Sequence, residues 1–139
     1  MTGESHASET SFEGLLARFI TDPGWLHSDN SIRADAFIPP KDLNLSVTSH
    51  MGIEEKHLWE IGVGVAAQVA RSRSPTCRLV GRGDISCSDV RSQSLLVQAA
   101  PLPENPNHVH ISGWPEKPHR KRIAQELAKR ARFQPTPSG

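Results

Sequence analysis

A chain of 139 residues has room for one hydrophobic core, and its 36% hydrophobic and 22% charged residues exclude wholesale disorder. No apolar run approaches the ~20 residues that span a bilayer. The polar, acidic start Met1–Thr10 is not a secretory signal, and two cysteines, Cys77 and Cys87, make no disulfide framework; a cytoplasmic location and no membrane contact are therefore expected. The net charge of +1 conceals a division: residues 1–70 carry four Lys/Arg and ten Asp/Glu, residues 71–139 twelve and five. Two explanations fit: an acidic half packed beside a basic half, or a basic surface that meets an external anionic partner.

Residues 1–10 are expected to form a disordered leader and 11–133 one folded domain. Ser11 can cap a helix from Phe12 to Ile20, with Phe12, Leu15, Leu16 and Phe19 at helical spacing. Asp22-Pro23-Gly24 stops it, and Trp25 to Arg33 form a loop. Ala36-Phe37-Ile38 is a short apolar run closed by Pro39-Pro40. Leu43, Leu45 and Val47 alternate, which predicts a strand to Thr48. The clearest core helix spans about 54–71. Leu58, Ile61, Val65 and Val69 fall within an arc of about 80° there, and Trp59, Val63, Ala66, Ala67 and Ala70 extend the apolar surface. Such a helix is buried on more than one side or meets a second copy. Gly62 and Gly64 weaken it by ~1 kcal/mol each against Ala, with close approach of another backbone as the compensation.

Cys77 to Ile85 is expected as a strand, with Gly81 and Gly83 marking a bulge or turn. Ser86 caps one helical turn to Arg91, Ser94 to Ala99 forms a strand, and Pro101 to Asn107 a loop. His108 to Ser112 is a further strand, broken by Gly113-Trp114-Pro115. A last helix runs from about Pro118 to Phe133, before a flexible tail at 134–139. About three helices with a small, mostly antiparallel sheet make an α+β domain.

The strongest chemical signal is that last helix. Lys121, Arg122, Lys129 and Arg132 project on one side, opposite Ile123, Ala124, Leu127 and Ala131. His119, Arg120, Lys121 and Arg122 crowd its first turns, where the helix dipole disfavours cations. A bound anion would relieve that conflict; a solvated basic face is the plain alternative. The second signal is His108-Val109-His110, two imidazoles on one side of a strand that could ligate a metal or serve as acid and base. His50, His57, Asp84 and Asp89 are further donors that spacing does not fix; exposed or structural histidines are the plain alternative. Within Arg82-Gly83-Asp84, Gly83 is expected to serve a backbone need, Ser86 to cap the following turn, and Asp84, Asp89 and Arg91 to form a local polar network. Cys77 and Cys87 lie in no nucleophile or redox motif and read as structural thiols. Trp25, Trp59 and Trp114 suit core or edge anchors, and Trp114 could wall a binding site. No phosphate loop, Cys-x-x-Cys or zinc-protease motif occurs, and no cofactor is expected.

Several phrases together carry a resemblance. They are Ala36-Phe37-Ile38-Pro39-Pro40, Leu45-Ser46-Val47, Leu58-Trp59-Glu60-Ile61-Gly62, Gly83-Asp84-Ile85 with Val90-Arg91, and Asn107-His108 with Ile111-Ser112-Gly113-Trp114-Pro115. In this order, over about residues 33–132, the chain resembles a set of small bacterial proteins with no established activity. The resemblance implies a single domain of bacterial type. By analogy of size, an accessory subunit of a larger complex, such as a phage-defence complex, is expected. The expectation is a non-enzymatic interaction protein that binds a protein partner, or itself, through the basic helix with Arg120, Lys121, Arg122, Lys129, Arg132 and Trp114. The alternatives are nucleic-acid binding through the same helix, and a small hydrolase or metal-dependent enzyme centred on His108 and His110 with Asp84.

Overall fold

The computed structural model describes residues 13–73 and 75–137. The expected leader, the Ser11 cap and Phe12 lie outside that range. Six strands form one antiparallel sheet: β1 (Leu15–Ile20), β2 (Leu45–Ser49), β3 (Gly81–Ser86), β4 (Leu96–Ala99), β5 (His108–Ser112) and β6 (Arg132–Pro135). Their spatial order is β4-β5-β2-β1-β3-β6. Three helices join them: α1 (Glu55–Ser72), α2 (Cys87–Arg91) and α3 (Lys117–Arg130). The α+β class expected from sequence is the observed one. No helix among the described residues is long and apolar enough to cross a membrane.

The first expected helix is instead the central strand β1. Leu16 and Ile20 point into one core and Ala17 and Phe19 into the other. A strand covered on both faces is apolar nearly throughout, so helical and strand spacings cannot be told apart over six residues. Gly14, at φ +88°, begins it with a backbone turn that a helix would not contain.

The major core lies on one face of the sheet. Leu16 and Ile20, Leu45 and Val47, Ile85, Val97, and Val109 and Ile111 pack there against α2, α3 and a 3-10 turn at Ala34–Phe37. α3 contributes Ile123, Ala124, Leu127 and Ala128. Trp114 closes this core and donates its indole N–H to Ile111 O at 3.0 Å. On the opposite face α1 makes a smaller core of Ala17, Phe19, Leu58 and Ile61. α1 covers β1 but leaves the β2–β5 half open, which is why Ser46 is exposed in mid-sheet.

Two corrections concern the C-terminal part. α3 ends at Arg130 without a terminating glycine, and Ala131 turns extended (ψ 146°). Arg132–Pro135 then pairs with Gly81–Asp84 as an edge strand, where Pro135 is tolerated. Gly81 and Gly83 mark no bulge, because β3 runs in unbroken register with β1 over six residues. They make room for neighbours. A Cβ at Gly81 would meet the Phe133 ring at 2.6 Å, and one at Gly83 would meet Ile32 Cδ1 at 2.7 Å. Gly62 serves α1 in the same way, its missing Cβ falling 2.6 Å from Phe19. Gly64 faces open space, so close approach explains only one of the two helical glycines.

Candidate functional site

α3 presents its charges as the sequence suggested, with two departures. Lys121, Arg122 and Lys129 are exposed on the side opposite the core. Arg132 does not belong to the helix. It sits on β6 in register with Asp84, on the α1 side of the sheet. Arg120 folds back and donates to Pro115 O at 2.7 Å. The outer face is not purely basic. Glu126 accepts from Lys129 at 3.4 Å and from Arg130 at 3.3 Å, and Arg130 also bonds Asp89 at 3.0 Å. A crevice of about 660 Å³ separates α3 from the 27–35 loop. Lys121 and Lys129 line one wall, and Asp29 and Asp35 the other.

His108 and His110 stand on β5, on the open face, with ring centroids 4.9 Å apart in edge-to-face contact. His108 donates Nδ1–H to Ala100 O at 2.8 Å, which fixes its tautomer. Burial, and then the neighbouring His108, push the His110 pKa below its ordinary value. Among the described residues no group of three or more His, Cys, Asp and Glu could hold a metal ion. Asp84 lies in the same cross-strand row as His108, through Ala17 and Thr48. Three strand spacings place the two ~14 Å apart. Trp114 is on the opposite face, inside the major core. These candidates therefore do not converge on one pocket.

Asp84 belongs to a different arrangement that the sequence did not announce. Arg82 and Asp84, both buried, point under the start of α1. Arg82 Nε donates to Asp84 Oδ1 at 2.9 Å, and His50 Nε2 lies 3.0 Å from the same oxygen. Arg82 Nη1 lies 2.7 Å from Glu55 Oε2 as an ion contact off the donor axis, while Nη2 donates to Oε1 at 3.2 Å. The guanidinium stacks 4.6 Å from the Trp59 ring, and Trp59 Nε1 donates to Glu55. Burial alone would raise the Asp84 pKa, but the bonds from His50 and Arg82 outweigh it and hold the carboxyl below its ordinary range. The Arg82-Gly83-Asp84 tripeptide is thus an internal clamp between β3 and α1. Cys87 is buried in the major core and Cys77 is partly buried, and neither is in a disulfide among the described residues.

A second cavity, of about 1260 Å³, runs between α1 and the sheet. Its middle is apolar, with Phe19, Ile61 and Val65; His57, Thr48, Asn105 and His108 border one end. The lining also holds Trp25 and charges of both signs, Arg18, Arg71 and Arg73 with Asp22, Asp35, Glu60 and Glu104. None of Arg18, Arg71, Arg73 or Trp25 was singled out for chemistry by the sequence. The signal for Arg18 was present, since it is the one charged residue in the apolar run Leu15–Ile20.

Several polar and glycine residues around β5 have architectural work. Asn107 Nδ2 donates to Ser49 O and Met51 O, both at 2.8 Å. Asn105 donates to the buried Thr48 hydroxyl at 2.9 Å. Gly113 takes φ +83° to start the turn that seats Trp114. No protein-family model, no curated protein and no solved structure matches the chain.

Proposed function

We propose that this is a non-enzymatic interaction protein that meets an acidic protein surface through the outer face of α3. The carrying observation is the division of labour around that helix. Its inner face is wholly committed to the core, while Lys121 and Arg122 on the outer face are exposed and form no ion pair among the described residues. A protein partner suits this face better than nucleic acid. Glu126 stands within the basic strip and neutralises its C-terminal half, and a phosphate backbone would meet that carboxylate at close range. An accessory role in a larger assembly accords with a small domain that offers a charged face.

The test uses poly-glutamate as the acidic polypeptide probe, with duplex DNA and single-stranded RNA alongside. The wild-type protein is expected to bind poly-glutamate more tightly than either nucleic acid. Joint Lys121→Glu, Arg122→Glu and Lys129→Glu substitution should weaken it tenfold or more, because exposed attractions become repulsions. These positions are exposed, so the melting temperature should hold. Undiminished binding by the reversed variant removes α3 from the reading. Preferential DNA or RNA binding with a steep salt dependence replaces it with the nucleic-acid reading.

A further inference from the structure

α1 is apolar around much of its circumference, yet the fold covers only one side of it. Leu58, Ile61, Gly62 and Ala66 are buried there. On the outer side Glu60, Val63, Gly64, Ala67 and Arg71 are exposed and Ala70 partly so, all within an arc of about 120°. Val63 is 60% exposed, more than any other large hydrophobic side chain among the described residues. Gly64 stands beside it, and a Cβ there would meet nothing within 4 Å. A glycine in a helix interior weakens the helix. Gly62 has a reason inside the chain, since it makes way for Phe19, and Gly64 has none.

The charges on this outer face are a second, independent observation. Glu60 and Arg71 stand three turns apart, about 16 Å along the axis, at nearly the same angle. Neither forms an ion pair among the described residues. Within one helix they are too far apart to meet. A two-fold axis crossing α1 between Val65 and Ala66 turns their spacing into a match: Glu60 of one copy meets Arg71 of the other, and the reverse. The same axis sets Gly64 against Ala67 of the other copy, and Val63 enters the hollow that these small residues leave. Lys56, on the same face, falls beyond the other copy's last helical residue, Ser72. An acidic or a basic partner would satisfy only one of the two charges, whereas a second copy satisfies both.

We infer that α1 is a self-association surface, through which two copies of the chain pair antiparallel, outer face to outer face, about a two-fold axis. The surface lies on the side of the sheet away from α3 and does not rest on the reading given to that helix. One helix from each copy makes a contact at the small end of specific interfaces. Association in the upper micromolar range is therefore expected, and dilute protein is monomeric.

Sedimentation equilibrium from about 10 µM to 1 mM tests it. The wild-type protein is expected to pass from monomer to dimer with no larger species, because an isologous contact closes on itself. Val63→Lys should weaken dimerisation tenfold or more. Glu60→Arg and Arg71→Glu, each alone, should do the same, because each sets like charges against one another across the axis. An equimolar mixture of these two variants should recover the wild-type affinity to within a few fold, since the charges of one chain then complement those of the other at both ends. All three positions are exposed, so the melting temperature of the dilute variants should hold. The joint Lys121→Glu, Arg122→Glu and Lys129→Glu variant should dimerise like the wild type. A wild-type monomer at the highest concentration would leave this face to water or to a different protein and overturn the inference. So would open-ended larger species, dimerisation indifferent to both charge substitutions, a mixture that stays monomeric, or dimerisation lost in the α3 variant.

Discussion

Gly62 and Gly64 stand two residues apart in α1, and substituting each by Ala measures how that helix sits on the sheet. In a helix interior the exchange gains ~1 kcal/mol of propensity at either position. At Gly64 nothing lies within 4 Å of the new methyl group, so the gain should appear in full. At Gly62 the methyl would stand 2.6 and 2.7 Å from Phe19 Cε1 and Cδ1 and 3.2 Å from Leu79 Cδ2. Carbon atoms prefer ~3.5–4.0 Å, so Phe19 must move by about 1 Å. Phe19 is only 5% exposed and wedged beneath α1, and overpacking of this kind costs ~1–3 kcal/mol. The propensity gain is common to both variants and cancels in the comparison. Gly64→Ala should therefore be more stable than Gly62→Ala by ~1–3 kcal/mol. Urea unfolding followed by circular dichroism resolves the difference, since a slope of ~1–3 kcal/mol/M turns it into a midpoint separation of about 1 M. Combining Gly62→Ala with Phe19→Leu should recover part of the loss. Coincident midpoints for the two single variants would mean that α1 does not rest on Phe19, and the cavity beneath it would lose its apolar wall.

Asp84→Asn should destabilise by about 3 kcal/mol, because it strips one buried partner from Arg82; Glu55→Gln, at an exposed carboxylate, should be much milder in the same unfolding assay. The Asp84 carboxyl is held below its ordinary value of 3.8, so its contribution is complete above that pH and disappears as pH falls through the lower folded value. Asp84→Asn should flatten that acid limb of the stability profile, and an unchanged limb would refute the assignment. His110, whose pKa burial and His108 depress below 6.5, works in the same direction at higher pH. Its contribution is present above 6.5 and lost as pH falls through the depressed value, so His110→Gln should reduce the slope of stability against pH below neutrality. NMR titration of the imidazole reads the same shift directly, and a His110 pKa at or above 6.5 would contradict it.

The elements that the sequence announced are those whose two sides differ. β2 and β5 alternate because one face meets the major core and the other is open, and α1 and α3 carry polar outer faces. β1 was misread because it has no polar face, and β6 because its pairing depends on Gly81 and Gly83, fifty residues earlier in the chain. The basic residues on α3 were legible because helical periodicity alone separates Lys121 and Arg122 from Ile123 and Leu127. The clamp of His50, Glu55, Arg82 and Asp84 was not, since it joins four residues from β3, α1 and the turn between β2 and α1. Arg18 is marked locally only as the one charged residue in an apolar run. Its position follows from where β1 and β2 part, which is a tertiary event.

The charge division between the two halves of the chain now has a physical account, and it is not the packing of an acidic half against α3. The pairs that α3 makes, with Asp89 and Glu126, come from its own half. Across the crevice, Asp29 and Asp35 face Lys121 and Lys129 without an ion pair among the described residues. The contacts that do join charged groups of the two halves among the described residues include Arg82 with Glu55 and His50 with Asp84, on the other face of the sheet. Among the described residues Lys121 and Arg122, on the outside of α3, form no ion pair with a carboxylate. Glu55→Gln should therefore leave poly-glutamate binding unchanged, and a loss of affinity in that variant would mean that the two sets of charges are coupled.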